Sequence, residues 1–288
     1  MKFIGAMTAM ITPFRDGKVD EGRLREQVEF QIKNGIEALV PVGTTGESPT
    51  LDFKEHVRVI ELTIRYANGR VPIIAGVGAN ATSEAIELHR AAKDLGADAG
   101  LSVNPYYNKP TQEGLYRHFM TLAQAVQLPI VLYNIPGRTG VTMSPQTVAR
   151  LFKEGHAVAI KEATGSFDIA TEIQSLCEIP ILSGDDFITV PLMSIGVKGA
   201  ISVVSNLLPA TTRSLTQHAL DGDFAAARKI HHSMFPLLKA LFADGSPAGI
   251  KCAMSLAGRD SGELRLPLVP VSAATRQALQ PLVSSAAK

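Results

Sequence analysis

Eight short runs of apolar and β-branched residues, each followed by a stretch with helical periodicity, constrain this chain more than any other feature of its sequence. The runs span residues 6–11, 38–42, 71–77, 99–103, 130–133, 158–160, 181–183 and 200–204. Between them apolar residues fall at helical spacing, as in Leu24, Val28 and Ile32 or Leu88, Ala92 and Leu95. The runs are continuously apolar rather than alternating, which is the pattern of parallel strands buried on both faces. Eight right-handed strand–helix units of about 20 to 34 residues close into a barrel, a fold that usually needs about 250 residues. The sequence therefore predicts an α/β fold: a (β/α)8 barrel, the TIM barrel, over residues 1–222, and a small helical C-terminal region over residues 223–288. Helical patterns in that region cover 224–242 and 247–257, followed by a proline-rich stretch at 267–270 and a last amphipathic segment. No low-complexity linker separates it, so it is expected to pack on the barrel.

With 28 basic and 27 acidic residues among 288, the chain carries a formal charge of +1 and lacks the field that draws nucleic acid or an anionic membrane. Small molecules are the expected partners. The first residues lack a signal-peptide core, and no 18-residue apolar run occurs, so a cytoplasmic location is expected. Cys177 and Cys252 have no metal-ligand spacing and suit a reducing compartment.

In such a barrel the active site lies at the C-terminal ends of the strands, so the reactive side chains there matter most. Four stretches qualify: GTTGES at 43–48, NPYY at 104–107, YNIPGRT at 133–139 and KEATG at 161–165. Lys161 follows an apolar run, so its amine is expected in the barrel mouth, where desolvation favours an uncharged amine that attacks a ketone. A structural ion pair with the adjacent Glu162 is the alternative. Tyr133 lies at matching depth on the neighbouring strand, either as a proton carrier or as a core aromatic with a satisfied hydroxyl. The small residues and free amides of 43–48 suit a carboxylate, although a glycine-rich turn with a helix cap reads the same way. Arg138 is placed to grip a second carboxylate, or else is a solvated surface arginine. Residues 76–81, GVGANA, approximate a dinucleotide fingerprint, but they fall in the third strand–helix unit, and Asp94 and Asp98 match the ribose acid only loosely. His231 and His232 are adjacent and point to different sides of a helix, which makes no metal site.

Taken together, these stretches in this order and spacing resemble the dihydrodipicolinate synthase and N-acetylneuraminate lyase family of class I aldolases, from about residue 3 to about residue 267. The resemblance implies a lyase that binds pyruvate as a Schiff base on Lys161. It implies that Tyr133 and Thr44 pass protons, with Tyr107 completing the relay across a dimer interface. Thr45 would bind the pyruvate carboxylate, with backbone contacts from Gly184 and Ile201. An arginine placed like Arg138 marks the branch that binds the carboxylate of L-aspartate 4-semialdehyde. The implied product is 4-hydroxytetrahydrodipicolinate, a precursor of lysine and diaminopimelate. The resemblance implies no metal or organic cofactor, and a homotetramer built as a dimer of dimers.

It also implies an allosteric L-lysine site at Ser48, His56, Asn80, Glu84 and Tyr106. Glu84 is equally an acid in the first turn of a helix, where the macrodipole favours it. Pro49 and Phe53 stand where sensitive members often carry a small residue and a histidine, which bears on how strongly lysine inhibits. Two rival readings remain at this point: an aldolase of the same family acting on a sugar-derived 2-oxo acid, and a non-catalytic barrel that senses pyruvate or lysine.

Overall fold

The structure, a computed structural model, describes residues 3–286. Each apolar run overlaps one strand of a parallel sheet: β1 (Gly5–Ala9), β2 (Ala38–Val40), β3 (Ile74–Gly76), β4 (Ala99–Val103), β5 (Ile130–Asn134), β6 (Ala159–Glu162), β7 (Ile181–Ser183) and β8 (Gly199–Ser202). Hydrogen-bonded neighbours run from β2 through β1, β8, β7, β6, β5 and β4 to β3. A parallel bridge between Leu39 and Ile73 closes the ring between β2 and β3. The expected barrel is the fold that forms.

One main helix follows each strand: α1 (Glu21–Lys33), α2 (Phe53–Ala67), α3 (Thr82–Leu95), α4 (Gln112–Ala125), α5 (Pro145–Lys153), α6 (Phe167–Leu176), α7 (Thr189–Ser194) and α8 (Pro209–Leu220), with a single helical turn, Pro136–Thr139, before α5. Three more, α9 (Phe224–Phe242), α10 (Ala248–Leu256) and α11 (Ala273–Ala286), pack on one another, and α9 also packs on α7 and α8. Among the described residues no helix is long and apolar enough to cross a membrane.

Alternation along each strand sorts the core into two layers. Met7, Val40, Leu101, Val131, Leu182 and Ile201 fill the barrel interior. Their neighbours, among them Leu39, Leu132, Ile160 and Ile181, face outward onto the helices. Leu24 and Val28 of α1 and Leu88 and Ala92 of α3 are buried against that outer layer, as their spacing predicts. Burial on both faces is why the runs read as continuous.

The edges of the runs shift. β1 stops at Ala9 and β3 covers only part of residues 71–77, because apolar side chains such as Met10, Ile11, Ile73 and Val77 continue beyond the strands and are buried in the outer layer. The eighth run ends as a 3-10 turn, Val204–Asn206, while β6 continues past its apolar run through Lys161 and Glu162. Strand extent follows backbone pairing with neighbours, not side-chain polarity. A hairpin after β1, Phe14–Arg15 with Lys18–Val19, has no counterpart among the expected elements.

Candidate active site

Lys161 sits within β6, with its register partners Tyr133 on β5 and Leu182 on β7. Ala159 faces the barrel interior, so Lys161, two residues on, faces it too. The side chain is 4% exposed, and its Nζ lies 4.3 Å from the centroid of the Tyr133 ring. Among the described residues no carboxylate lies within salt-bridge distance of that amine. Gly184, just beyond β7, leaves room for it: a Cβ there would stand 2.9 Å from Lys161 Cε and 3.1 Å from Cγ.

Glu162, the alternative partner, points to the other side of the strand. Its Oε1 accepts from the Thr164 amide at 2.6 Å and its Oε2 from Asn134 Nδ2 at 3.1 Å. Burial pushes the Glu162 carboxyl up, and the bonds from Thr164 and Asn134 oppose that. Asn134 Oδ1 in turn accepts from Asn104 Nδ2 at 3.0 Å. A buried polar rail thus joins the outward-facing residues at the ends of β4, β5 and β6. It fixes the level at which Tyr133 and Lys161 emerge on the opposite face.

After β2, residues 43–48 fold as a tight 3-10 turn, Thr44–Gly46, in which Thr45 is buried and Thr44 half-exposed. The Gly46 and Ser48 amides both donate to the Gly43 carbonyl. Ile201, on β8, is buried in the interior layer with Tyr133. Arg138, in the short turn Pro136–Thr139 after β5, is exposed and donates to the Ser246 carbonyl at 3.0 Å. Tyr107 is 90% exposed and has a positive φ of 69°, so its ring stands away from this subunit's core.

A cavity of about 370 Å³ opens beside this group. Its wall includes Thr44, Ser48, His56, Glu84, Tyr106 and Arg138, while Lys161 and Tyr133 are not part of it. His56 Nε2 donates to the Gly76 carbonyl at 2.7 Å, and burial pushes its pKa down. Burial, with the charge of Glu84, pushes the Tyr106 phenol up. Asn80 lies at the edge, donating through Nδ2 to the Tyr106 carbonyl at 3.3 Å. Pro49 and Phe53 contribute to the same wall.

The glycines of residues 76–81 have a different reason to be there. A Cβ at Gly76 would stand 2.3 Å from the Val42 carbonyl oxygen, and one at Gly78 2.4 Å from the Val103 amide nitrogen. Close approach of β2, β3 and β4 requires them, and Asp98 accepts from the Ile73 amide at 2.8 Å rather than reaching toward a ribose.

Sequence reasoning missed what holds the turn after β2 from beneath. Glu47 and Lys251 form a wholly buried ion pair at 2.6 Å. The available signal was a single lysine in the otherwise apolar stretch of α10.

The sequence profile described as the Dihydrodipicolinate synthetase family matches residues 2–286. A 4-hydroxy-tetrahydrodipicolinate synthase of Pelobacter propionicus is 53% identical over 285 residues, covering 98% of each chain. Two crystal structures superpose closely. A chloride-inhibited dihydrodipicolinate synthase from Acinetobacter baumannii, complexed with pyruvate, has a TM-score of 0.96 at 44% identity and covers 99% of each chain. The enzyme from Cyanidioschyzon merolae with lysine bound has a TM-score of 0.95 at 37% identity, covering 99% of this chain and 98% of that one.

Proposed function

This chain belongs to the dihydrodipicolinate synthetase family, and from that premise we propose that it condenses pyruvate with L-aspartate 4-semialdehyde through an imine on Lys161. It is a lyase of lysine and diaminopimelate biosynthesis, a 4-hydroxy-tetrahydrodipicolinate synthase in activity. The observation that carries the assignment of the nucleophile is the register of Lys161 beside Tyr133, a buried amine aimed into the barrel with no carboxylate partner among the described residues.

The chemistry follows from these positions. The amine of Lys161 adds to the pyruvate ketone, Tyr133 delivers the proton that lets water leave, and an iminium forms. The iminium acidifies the methyl group, whose proton departs through Tyr133 and Thr44 to leave an enamine. The enamine carbon attacks the aldehyde carbon, and the resulting alkoxide takes a proton. The amino group of the former semialdehyde then adds to the imine carbon and displaces Lys161, closing the ring of 4-hydroxytetrahydrodipicolinate. Thr45 and the amides of the turn hold the pyruvate carboxylate, with Gly184 and Ile201 supplying backbone contacts, and Arg138 holds that of the semialdehyde. This sequence of steps needs no metal or organic cofactor.

Tyr107 joins the relay from a second copy of the chain, a reading supported by its 90% exposure. Two such dimers form the tetramer. L-lysine binds among Ser48, His56, Asn80, Glu84 and Tyr106 and inhibits. The shared cavity that brings four of these residues beside Thr44 and Arg138 supports this, as does the lysine-bound relative.

Borohydride reduction in the presence of pyruvate, followed by mass spectrometry, tests the nucleophile. The peptide containing Lys161 gains the reduced pyruvate adduct; an unmodified peptide would end the reading. Steady-state assays with L-aspartate 4-semialdehyde, N-acetylmannosamine and glyceraldehyde test the acceptor, and only the first supports rapid turnover. Saturating L-lysine lowers the rate if the effector site is real.

A further inference from the structure

The turn that carries Thr44 and Thr45 rests on two buried charges contributed from opposite ends of the chain. Lys251, on α10, donates through Nζ to Glu47 Oε1 at 2.6 Å and to the Thr12 carbonyl at 2.9 Å, and lies 4.2 Å from the Phe14 ring centroid. The other carboxylate oxygen of Glu47 accepts from the Arg265 amide at 3.1 Å. Both side chains of the pair are fully buried.

Glu47 is not a passive neighbour of the turn. It closes it in the left-handed region at φ 56°, a conformation disfavoured for a side-chain-bearing residue unless its surroundings enforce it. Its amide donates to the Thr44 carbonyl at 3.1 Å, and Thr12 Oγ1 donates to the adjacent Gly46 carbonyl at 2.6 Å. Lys251 therefore grips both the residue that ends the turn and the segment that supports it. A buried ion pair is often replaceable by apolar residues without loss of stability, so stability alone gives little reason for one here. What an apolar pair lacks is direction: two fixed hydrogen bonds determine where the Glu47 backbone sits.

We propose that Lys251 and Glu47 are positioning residues, whose ion pair sets the pitch at which the Thr44–Thr45 turn presents its amides and hydroxyls to the pyruvate carboxylate. This rests on the assignment of that turn to pyruvate made above. Through Lys251 the helix α10 thus acts on the reaction from outside the group around Lys161. Ser246, in the turn before α10, accepts from Arg138, so the same stretch steadies the side chain assigned to the second carboxylate.

The decisive variant is Glu47→Gln with Lys251→Met, which removes both charges together and so avoids a lone buried ion. Pyruvate KM is expected to rise about tenfold or more while kcat changes less than about threefold. The half-saturating pyruvate concentration for borohydride trapping at Lys161 rises by the same factor, and the melting temperature stays near that of the parent. A purely structural pair would let pyruvate KM recover with stability, and half-saturation within about twofold of the parent overturns the proposal. If the double variant does not fold, Glu47→Gln alone keeps its oxygen on Lys251 but turns an NH2 toward the Arg265 amide and loses that fixed bond, so half-saturation is expected to shift about threefold or more, and no shift overturns the proposal. A parent protein that pyruvate never modifies sinks the pyruvate assignment itself, whereas a normally trapped parent beside a normally saturating variant sinks only the positioning role.

Discussion

Lys161 and Lys251 are both almost completely withdrawn from solvent, at 4% and 0% exposed, yet their surroundings differ in one decisive respect. Lys251 has a carboxylate at 2.6 Å and a carbonyl at 2.9 Å. Lys161 has an aromatic ring, a glycine that makes space for it and, among the described residues, no acid in contact. Burial pushes the Lys251 ammonium down, and the Glu47 carboxylate offsets only part of that. An acid held in contact ties an amine into a fixed bond; an amine without that bond is free to reach a ketone. The depth of a lysine therefore says less about its role than the company it keeps.

The sharpest test of this contrast removes each amine in turn. Lys161→Met is expected to lower kcat by about 10³-fold or more and abolish trapping by pyruvate, while unfolding in urea shows stability unchanged or increased. Lys251→Met is expected to do the reverse in kind, costing about 3–5 kcal/mol of stability because it strands Glu47 as a lone buried charge. Equal stability losses for the two variants would break the comparison.

Tyr133→Phe separates the ring from the phenol. About a 10²-fold loss of kcat is expected, with slow imine trapping still measurable, because the ring beside Lys161 remains while the proton carrier is lost. An unchanged kcat would return Tyr133 to the core.

Two histidines extend the comparison to other buried bases that, among the described residues, form no ion pair with an acid. Burial pushes His89 and His118 down to about 4, with His118 adding to the effect on His89 and the Ala85 carbonyl opposing it. The sign follows from linkage: an unfolded imidazole protonates near pH 6.5, whereas the folded one resists until about pH 4, so acid favours the unfolded chain across that window. Stability is expected to fall between pH 6.5 and pH 4, by about 1–2 kcal/mol per ring at pH 5. Urea titrations of the parent and of His89→Gln measure it, and a stability independent of pH over that range contradicts it.

The architecture was legible because it is written in local periodicity. The runs that became β4, β5 and β7 coincide with their strands to within a residue, since a doubly buried strand must be apolar along its whole length. β6 was legible only in part: apolarity marks Ala159 and Ile160, but backbone pairing with β5 and β7 carries the strand on through two charged residues. The candidate site was visible as four short stretches, and alternation along β6 sends Lys161 inward and Glu162 outward. The adjacency of the two in sequence had suggested an ion pair that alternation forbids.

By itself, then, the sequence determined the barrel, the order of its units and the side chains gathered at its mouth, because hydrophobic period and strand parity act over a few residues. Only the tertiary structure decided that Glu47 meets Lys251, that Ser246 meets Arg138, and that the glycines at 76 and 78 serve strand packing rather than phosphate. Those contacts join residues up to 204 positions apart, and no local pattern encodes which of two distant buried groups closes on the other.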